Sequence, residues 1–275
     1  MLWAQDDLLA ELESQTPEEP QFVFATFKGT RLINGHTLKT KSKGEMDFLI
    51  SHRFGALNSG AYNLFGLDNS FIRLGFDYGI TDRFDIGIGR SSLDKTYDSY
   101  LKYKLIRQQK GGIPITVTGM FTSTVKTSPK ASDNPDIQFS DRLSYGYSLL
   151  VGSKLNDKFS VQLVPMFVHK NRVTAPDLNN HYALGTGLRW LITSSAALNI
   201  EYYHRLNPAD TDLLYNPLSF GVDIETGGHV FQLHITNSRG LIDRAFLTET
   251  DGNWADGDIY FGFNISRAFQ IKQPY

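Results

Sequence analysis

The stretch FIRLGFDYGITDRFDIGIG, residues 71–89, decides the fold. Apolar residues occupy every second position on both sides of a polar break at residues 81–83. A period of two is typical of a β-strand, because successive side chains on a strand point to opposite faces. Two such runs around a short break predict an antiparallel hairpin with one apolar face and one face of charged residues and glycine.

The same alternation recurs from residue 46 nearly to the end of the chain, with no convincing helix between the repeats. It predicts about twelve strands. These are residues 46–55, 69–80, 84–92, 96–108, 113–125, 141–154, 159–171, 180–192, 196–206, 216–226, 229–237 and 258–270. Their typical length of about ten residues suits a tilted strand that crosses a bilayer, whereas strands of soluble sheets average about five or six residues.

Connections between the predicted strands are alternately short and long, and only the brief connection at residues 93–95 departs from this rhythm. Barrels of the outer membrane have short turns at their periplasmic end and longer loops at the other end. An even number of strands places both ends of the barrel segment on the short-turn side. The pattern therefore predicts an all-β, antiparallel, up-and-down transmembrane β-barrel with an N-terminal periplasmic extension.

One face of these strands is apolar and the other is ionic. Aromatic residues lie near strand ends on the apolar face, as the interfacial girdle of a membrane barrel requires: Tyr78, Phe84, Tyr97, Tyr103 and Tyr202. Glycines and nearly balanced charges recur on the other face, which suits a narrow lumen. We predict that these charges pair across the interior in a network of Arg53, Arg73, Asp77, Asp85, Lys102, Lys104, Arg142, Arg189, Glu201, Arg205, Asp223 and Glu225.

The composition excludes several classes of protein. No apolar run approaches the roughly eighteen residues that a membrane-spanning helix needs. The formal net charge is -2 and there is no basic run, so we predict no nucleic-acid partner. The chain has no cysteine, which excludes disulfides and thiolate metal sites, and its seven histidines lack metal-site spacing. We therefore predict no metal and no other cofactor.

The chain divides into three predicted parts. Residues 1–20 combine an apolar stub, interpreted as the remnant of a signal peptide, with an acidic leader that is either a solubilising linker or a site for a periplasmic partner. Residues 21–45 contain the turn pair Asn34-Gly35 and predict a strand or hairpin extension, outside the main repeat or tucked under it. Residues 46–271 form the predicted barrel.

Four motifs carry a resemblance to a known family: ATFKGTRLINGHTL, FLISHRFG, FGLDNSFIRLGFDYGITDRFDIGIGRS and KTYDSYLKYKL. They resemble a family of uncharacterised Gram-negative outer-membrane β-barrel proteins, most specifically over residues 22–108 and more loosely up to the final strand. The stretch GDIYFGFNISRAF also resembles the C-terminal aromatic signal that the outer-membrane insertion machinery reads. The resemblance implies a barrel surrounded by outer-membrane lipid in a Gram-negative bacterium, and it implies no catalytic residues.

We interpret the protein as non-enzymatic, with a transport or scaffold role, a largely occluded ionic lumen, and a periplasmic or outer-membrane protein as a further partner. Two alternatives stay open. An outer-membrane hydrolase acting on lipid would need His52 or His169 beside a serine of a neighbouring strand, because Ser51 and His52 point to opposite faces. A soluble periplasmic β-barrel binding module would show the same alternation, with the apolar face in its core.

Overall fold

The structure of the protein, a computed structural model, describes residues 21–128, 136–209 and 213–271. Within these residues, twelve antiparallel strands each pair with the next, and the first pairs with the last to close a barrel. The strands are β1 (Glu45–Ala56), β2 (Ser70–Thr81), β3 (Phe84–Ser91), β4 (Thr96–Ile106), β5 (Thr116–Lys126), β6 (Leu143–Lys154), β7 (Phe159–Lys170), β8 (Asn180–Leu191), β9 (Ala196–Arg205), β10 (Leu218–Thr226), β11 (His229–Thr236) and β12 (Tyr260–Gln270). A short helix, α1 (Asp243–Thr248), lies in the last connection.

The predicted up-and-down barrel is confirmed. The strand bounds differ from the predicted ones by at most three residues. The largest difference is at the start of β5, which begins at Thr116 rather than at residue 113. Pro114 has no backbone N–H to donate to a ladder, so the regular pairing of β5 begins only after it. The connections that follow β2, β4, β6, β8 and β10 form the short-turn end of the barrel, and the others form the long-loop end.

The wall presents an apolar face outward and a mostly polar face inward. Leu74 and Phe76 of β2 are 43% and 44% exposed on the outer face, whereas Arg73 and Asp77, which alternate with them, are buried toward the lumen. This is the arrangement that the period of two predicts. Among the described residues, no helix has the length and hydropathy needed to cross a membrane.

Residues 22–44, here called the plug, lie inside the barrel. The plug begins at the short-turn end, where the Val23 N–H donates to the Gln108 carbonyl at 2.9 Å. It turns back between Arg31 and His36, which form an isolated β-bridge, and returns to the start of β1. The periplasmic extension is therefore not confirmed for these residues, whose position matches the alternative of a hairpin tucked under the main repeat. The predicted signal remnant and acidic leader, residues 1–20, lie outside the described residues.

The connection between β11 and β12 folds into the lumen from the long-loop end. Residues 237–250, here called the inner loop, contain α1 and are almost entirely buried. The prediction that no helix lies between the strands is wrong at this point. A helix of six residues is too short to show a hydrophobic period in the sequence, and packing rather than helix propensity stabilises it, because all six residues are buried.

Two apolar clusters lie in the lumen, so the prediction of a consistently ionic inner face is wrong. One cluster joins the plug to β4, β5, β6 and β7: Phe27, Leu32, Leu38, Tyr100, Met120, Leu150 and Val164. The other joins α1 to β7, β8 and β9: Met166, Val168, Ala183, Tyr203, Phe246 and Leu247. On this side the inner face of the wall is a protein core, where apolar side chains are stabilised by burial.

The register predicts the effect of a charge on the outer face. Phe76→Arg puts a guanidinium near the middle of β2, and we expect it to lower the free energy of unfolding in lipid by about 2–4 kcal/mol. Tyr62→Arg is the matched control, because Tyr62 is 96% exposed in a long-loop connection and should change stability by less than about 0.5 kcal/mol. Urea titration of the barrel in lipid vesicles measures both. Equal losses would show that the register is wrong.

Candidate functional site in the barrel lumen

The tip of the plug is held by one carboxylate of the wall. Glu201 of β9 points into the lumen and is 1% exposed. Its carboxylate accepts hydrogen bonds from the backbone N–H groups of Ile33, Asn34 and Gly35, at 3.2, 3.1 and 3.0 Å. Convergent backbone N–H groups stabilise an anion through charge-assisted hydrogen bonds. The turn of the plug, rather than one of the wall arginines predicted as partners, therefore satisfies Glu201.

The plug tip fits the wall closely. A Cβ atom at Gly35 would lie 1.8 Å from the hydroxyl oxygen of Tyr203, so this position admits no larger residue without a shift of the ring. The wall also has a glycine where the plug packs against it. A Cβ atom at Gly187 of β8 would lie 2.6 Å from the side chain of Leu32 in the plug. The Asn34-Gly35 pair is thus both the turn that the sequence predicts and a point of tight contact with the wall.

Arg53 of β1 joins the plug to the inner loop. Its side chain is fully buried, and Nη2 donates to Oδ1 of Asn34 at 2.7 Å while Nη1 donates to the carbonyl of Ser238. Nη2 also lies 3.2 Å from Nε2 of His234 on β11. Asn34 in turn donates through Nδ2 to the hydroxyl of Ser219 on β10, at 2.8 Å. One arginine therefore ties both inserted segments to the wall.

Of the predicted charges on β2, one pairs within the wall and one with the plug. Arg73 forms a bidentate ion pair with Asp98 of β4, with Nε–Oδ1 and Nη2–Oδ2 distances of 2.9 and 2.5 Å. Asp98 is absent from the predicted network, although the alternation of β4 places it on the inner face. Asp77 accepts a hydrogen bond from the hydroxyl of Thr30 at 2.7 Å and lies 3.6 Å from Nη1 of Arg31.

Asp85, Lys102 and Lys104 surround the base of the plug at the short-turn end. The two carboxylate oxygens of Asp85 accept from the Lys41 N–H at 3.0 and 2.9 Å. Nζ of Lys102 donates to the plug carbonyl of Thr37 at 3.1 Å. Lys104 is half-buried nearer the opening. Asp85 and Lys102 therefore find their partners in the backbone of the plug.

The predicted charges on β8 and β10 also lie together. Arg189 and Glu225 form an ion pair at 3.3 Å, and Glu225 pairs in addition with Lys28 of the plug at 2.6 Å. Asp223 accepts a hydrogen bond from Nε2 of Gln232 on β11, at 2.8 Å. The sequence does not indicate which wall residues the segment around Lys28 contacts. The ion pair between Lys28 and Glu225 is therefore visible only in the structure.

The last two predicted charges bind the connections of the long-loop end. Arg142 precedes β6, which begins one residue later, so the alternation of that strand does not apply to it. Its Nη1 donates to the carbonyls of Lys126 and Ser128, at 3.2 and 2.5 Å. Arg205 ends β9, and its Nη1 donates to the carbonyl of Leu214 at 3.1 Å.

Two carboxyls outside the strands have opposite electrostatic environments. Burial raises the pKa of Asp243 in α1 to about 6, although the plug's Arg31 opposes this shift. Burial also disfavours ionisation of Asp177, before β8, but contacts with His181 and Lys170 outweigh it and keep the pKa of this carboxyl below its usual range. The inner loop thus carries a group that takes up a proton near pH 6, whereas Asp177 stays ionised.

The outward histidines are not opposite a serine. His52 is paired in register with an isoleucine of β2 and with Phe263 of β12, on which its ring stacks at 4.9 Å between centroids. His169 of β7 is opposite Tyr145 and Asn180, and its Nδ1 lies 2.7 Å from Oδ1 of Asn180. In the part of the chain that the structure describes, no group of three or more His, Asp or Glu side chains is arranged to hold a metal ion.

Comparison with protein families identifies the chain. A family described as "Membrane bound beta barrel domain (DUF5777)" matches residues 27–269, from the plug to the end of β12. The chain belongs to this family. The resemblance indicated by the sequence motifs is therefore confirmed, and the barrel is membrane-bound. No curated protein matches the sequence.

Solved structures share the fold at low sequence identity. The NanC porin is 12% identical with a TM-score of 0.51, and the match covers 83% of this chain and 100% of the porin. The KdgM porin is 9% identical with a TM-score of 0.48, covering 82% and 99%. An active-site mutant of outer membrane phospholipase A from Escherichia coli is 10% identical with a TM-score of 0.48, covering 86% and 95%. At 12% identity the likeness to the NanC porin shows the fold alone.

Weakening the anchor at Glu201 should release the plug tip. Glu201→Gln preserves the size of the side chain, but it removes the charge that strengthens three hydrogen bonds. We expect a loss of about 3 kcal/mol, which makes amide hydrogen exchange at residues 33–35 about 100-fold faster. Asp98→Asn is the matched control, because its ion pair with Arg73 lies within the wall. Exchange that is equally fast in both variants, or unchanged in Glu201→Gln, would contradict this role of Glu201.

Proposed function

We propose that this protein is a non-enzymatic β-barrel of the outer membrane of a Gram-negative bacterium, with a transport or scaffold role and a lumen that is closed at rest. The observation that supports the proposal is that two segments of the chain itself lie inside the lumen. The plug enters from the short-turn end and the inner loop from the long-loop end, and both are bound to Arg53.

The wall supports a location in the outer membrane. A closed ladder leaves no strand edge unpaired, which is what a β-structure needs in lipid. The outer face presents large apolar side chains on every strand pair, among them Leu101, Leu149 and Leu233, each at least 40% exposed. In a soluble module these apolar side chains would be exposed to water, which costs a free energy of about 25 cal/mol for each Å² of apolar surface. Outer-membrane lipid is therefore the surrounding that we propose.

The interior supports closure. About twelve strands enclose less space than the roughly 16–18 strands of a general porin. The plug and the inner loop add two apolar clusters to that interior, and a diffusion channel needs a continuous aqueous path past them. Transport therefore requires both the plug and the inner loop to move, whereas a scaffold role requires neither to move.

The outer face gives no support to the lipid-acting hydrolase. Such an enzyme needs a nucleophile within hydrogen-bond distance of a base, and the base held by a third group. His169 has a partner in Asn180, but the residue opposite it on β6 is Tyr145. His52 is stacked on Phe263. A non-enzymatic role is therefore the reading that the strand register favours.

Conductance in planar bilayers tests the closed lumen. We expect the unmodified protein to carry little or no steady current. Deletion of the plug tip, residues 29–37, or of the inner loop, residues 240–250, leaves the other obstruction in series and should raise the current only slightly. Deletion of both should produce stable openings, because no inserted segment then remains in the lumen and most of the inner wall is polar.

The control for this experiment is deletion of residues 61–64, which are exposed or half-buried in the connection after β1 and lie outside the lumen. It should leave the current at the level of the unmodified protein. Large, stable, weakly selective openings from the unmodified protein would exclude a lumen that is closed at rest. Current that is absent at low voltage and appears only above a threshold voltage would favour transport over a scaffold role.

A further inference from the structure

A cavity of about 600 Å³ lies at the short-turn end of the barrel, between the plug and the wall. The two arms of the plug, residues 23–28 and 38–42, form one side of it. Residues at the ends of β2, β4 and β5 form the other side: Asp82, Lys104, Arg107 and Thr116. The cavity is therefore shaped jointly by the plug and by the turns around its base.

The lining of this cavity is strongly basic. Against the one carboxylate of Asp82 it has five cationic side chains: Lys28, Lys39, Lys41, Lys104 and Arg107. Asp82 already accepts a hydrogen bond from the backbone N–H of Lys43, at 2.9 Å. A concave surface with charges of one sign concentrates the electric field and attracts the opposite charge.

Two of the five cations have carboxylate partners. Lys28 pairs with Glu225 of β10 at 2.6 Å. Lys41 pairs with Glu45 and with Asp47 of β1, both at 2.7 Å. These ion pairs attach the arms of the plug to the wall, and they leave the other three cations of the cavity without neutralisation.

No ion pair within 4.0 Å is found for the other three in the described part of the chain. Nζ of Lys39 donates to the carbonyl of Lys28 at 2.5 Å. The guanidinium of Arg107 lies 3.8 Å above the ring centre of Phe22. Lys104 is half-buried beside them. Cations that share a partly enclosed space without a counter-charge are costly, so an anionic group would stabilise this site.

The chain itself supplies such a group at the rim of the cavity. The carbonyl of Gln21 accepts a hydrogen bond from the Lys110 N–H at 2.9 Å, which positions this residue at the turn between β4 and β5. Residues 5–19 carry six carboxylates and no lysine or arginine. Glu18 and Glu19 are only three and two positions from Gln21, so about 3.3–3.6 Å per residue lets them reach roughly 10 Å from it. A short tether also gives a millimolar effective concentration.

We propose that the acidic leader, residues 5–19, binds in this cavity, with the carboxylates of Glu18 and Glu19 paired to Lys39, Lys104 and Arg107. Connectivity favours the leader over an acidic segment of another protein, because the leader is held at the site at every concentration. The proposal does not depend on whether the barrel conducts.

Zero-length carbodiimide cross-linking of the full chain in detergent micelles tests this contact. The reagent joins a carboxylate to a lysine amine only when the two are in contact, and mass spectrometry should find Glu18 or Glu19 linked to Lys39 or Lys104. Lys158 is the matched control, because it is exposed in another turn at the same end of the barrel. It should give about tenfold fewer links, and salt raised to about 0.5 M should weaken the cavity links.

A second measurement follows the contact without chemical modification. A glutamate-specific protease cleaves after Glu18, whereas the bond after Glu19 resists it because Pro20 follows. A bound leader should protect the bond after Glu18 as well. Lys104→Ala combined with Arg107→Ala should speed this cleavage about tenfold, because two partly exposed ion pairs between the leader and the cavity are lost. Lys154→Ala combined with Lys158→Ala should leave the rate unchanged. Heat-modifiable mobility on detergent gels shows that each variant is a folded barrel.

Three results would overturn the proposal. The first is links spread evenly over all exposed lysines, and the second is a cleavage rate that neither salt nor the cavity variant changes. The third is links that join two copies of the chain or join the cavity to a copurified protein. This last result would assign the cavity to another occupant.

Discussion

A backbone that crosses lipid has no water to bond with, so each of its N–H and C=O groups must find a partner inside the protein. The pairing of β1 with β12, from Glu45 opposite Gln270 to Ala56 opposite Tyr260, meets this requirement by closing the ladder. Closure turns one face of every strand outward and encloses the other. The enclosed face is mostly polar, and polar groups removed from bulk water must also find partners inside the protein.

The inserted segments answer that second requirement. Wall carboxylates that look like partners for wall arginines are satisfied instead by the plug, through backbone N–H groups at Glu201 and a side-chain hydroxyl at Asp77. Glu225 has a partner of each kind, since it pairs with Arg189 of the wall and with Lys28 of the plug. The lumen is therefore better described as a folded interior, with its own apolar clusters, than as a pore lined by ion pairs.

The strands of this protein are predictable because their signal is local. A period of two over about ten residues gives type, face and approximate bounds, and even Asp98 of the inner face was accessible to that reasoning. The position of the plug was not accessible in the same way, since Gly35 and the carboxylate that binds it are 166 positions apart. The inner loop escaped prediction for a different reason, because α1 exists through its packing against Tyr203 and its neighbours.

The plug precedes the whole barrel in the chain, yet its tip contacts some of the last strands. Nδ2 of Asn264 on β12 donates to the carbonyl of Ile33 at 3.0 Å, across 231 positions. Contacts of this kind form only after the intervening chain has lost its conformational freedom. The earliest described segment can therefore complete its native contacts only when the last strand is also in place beside β1.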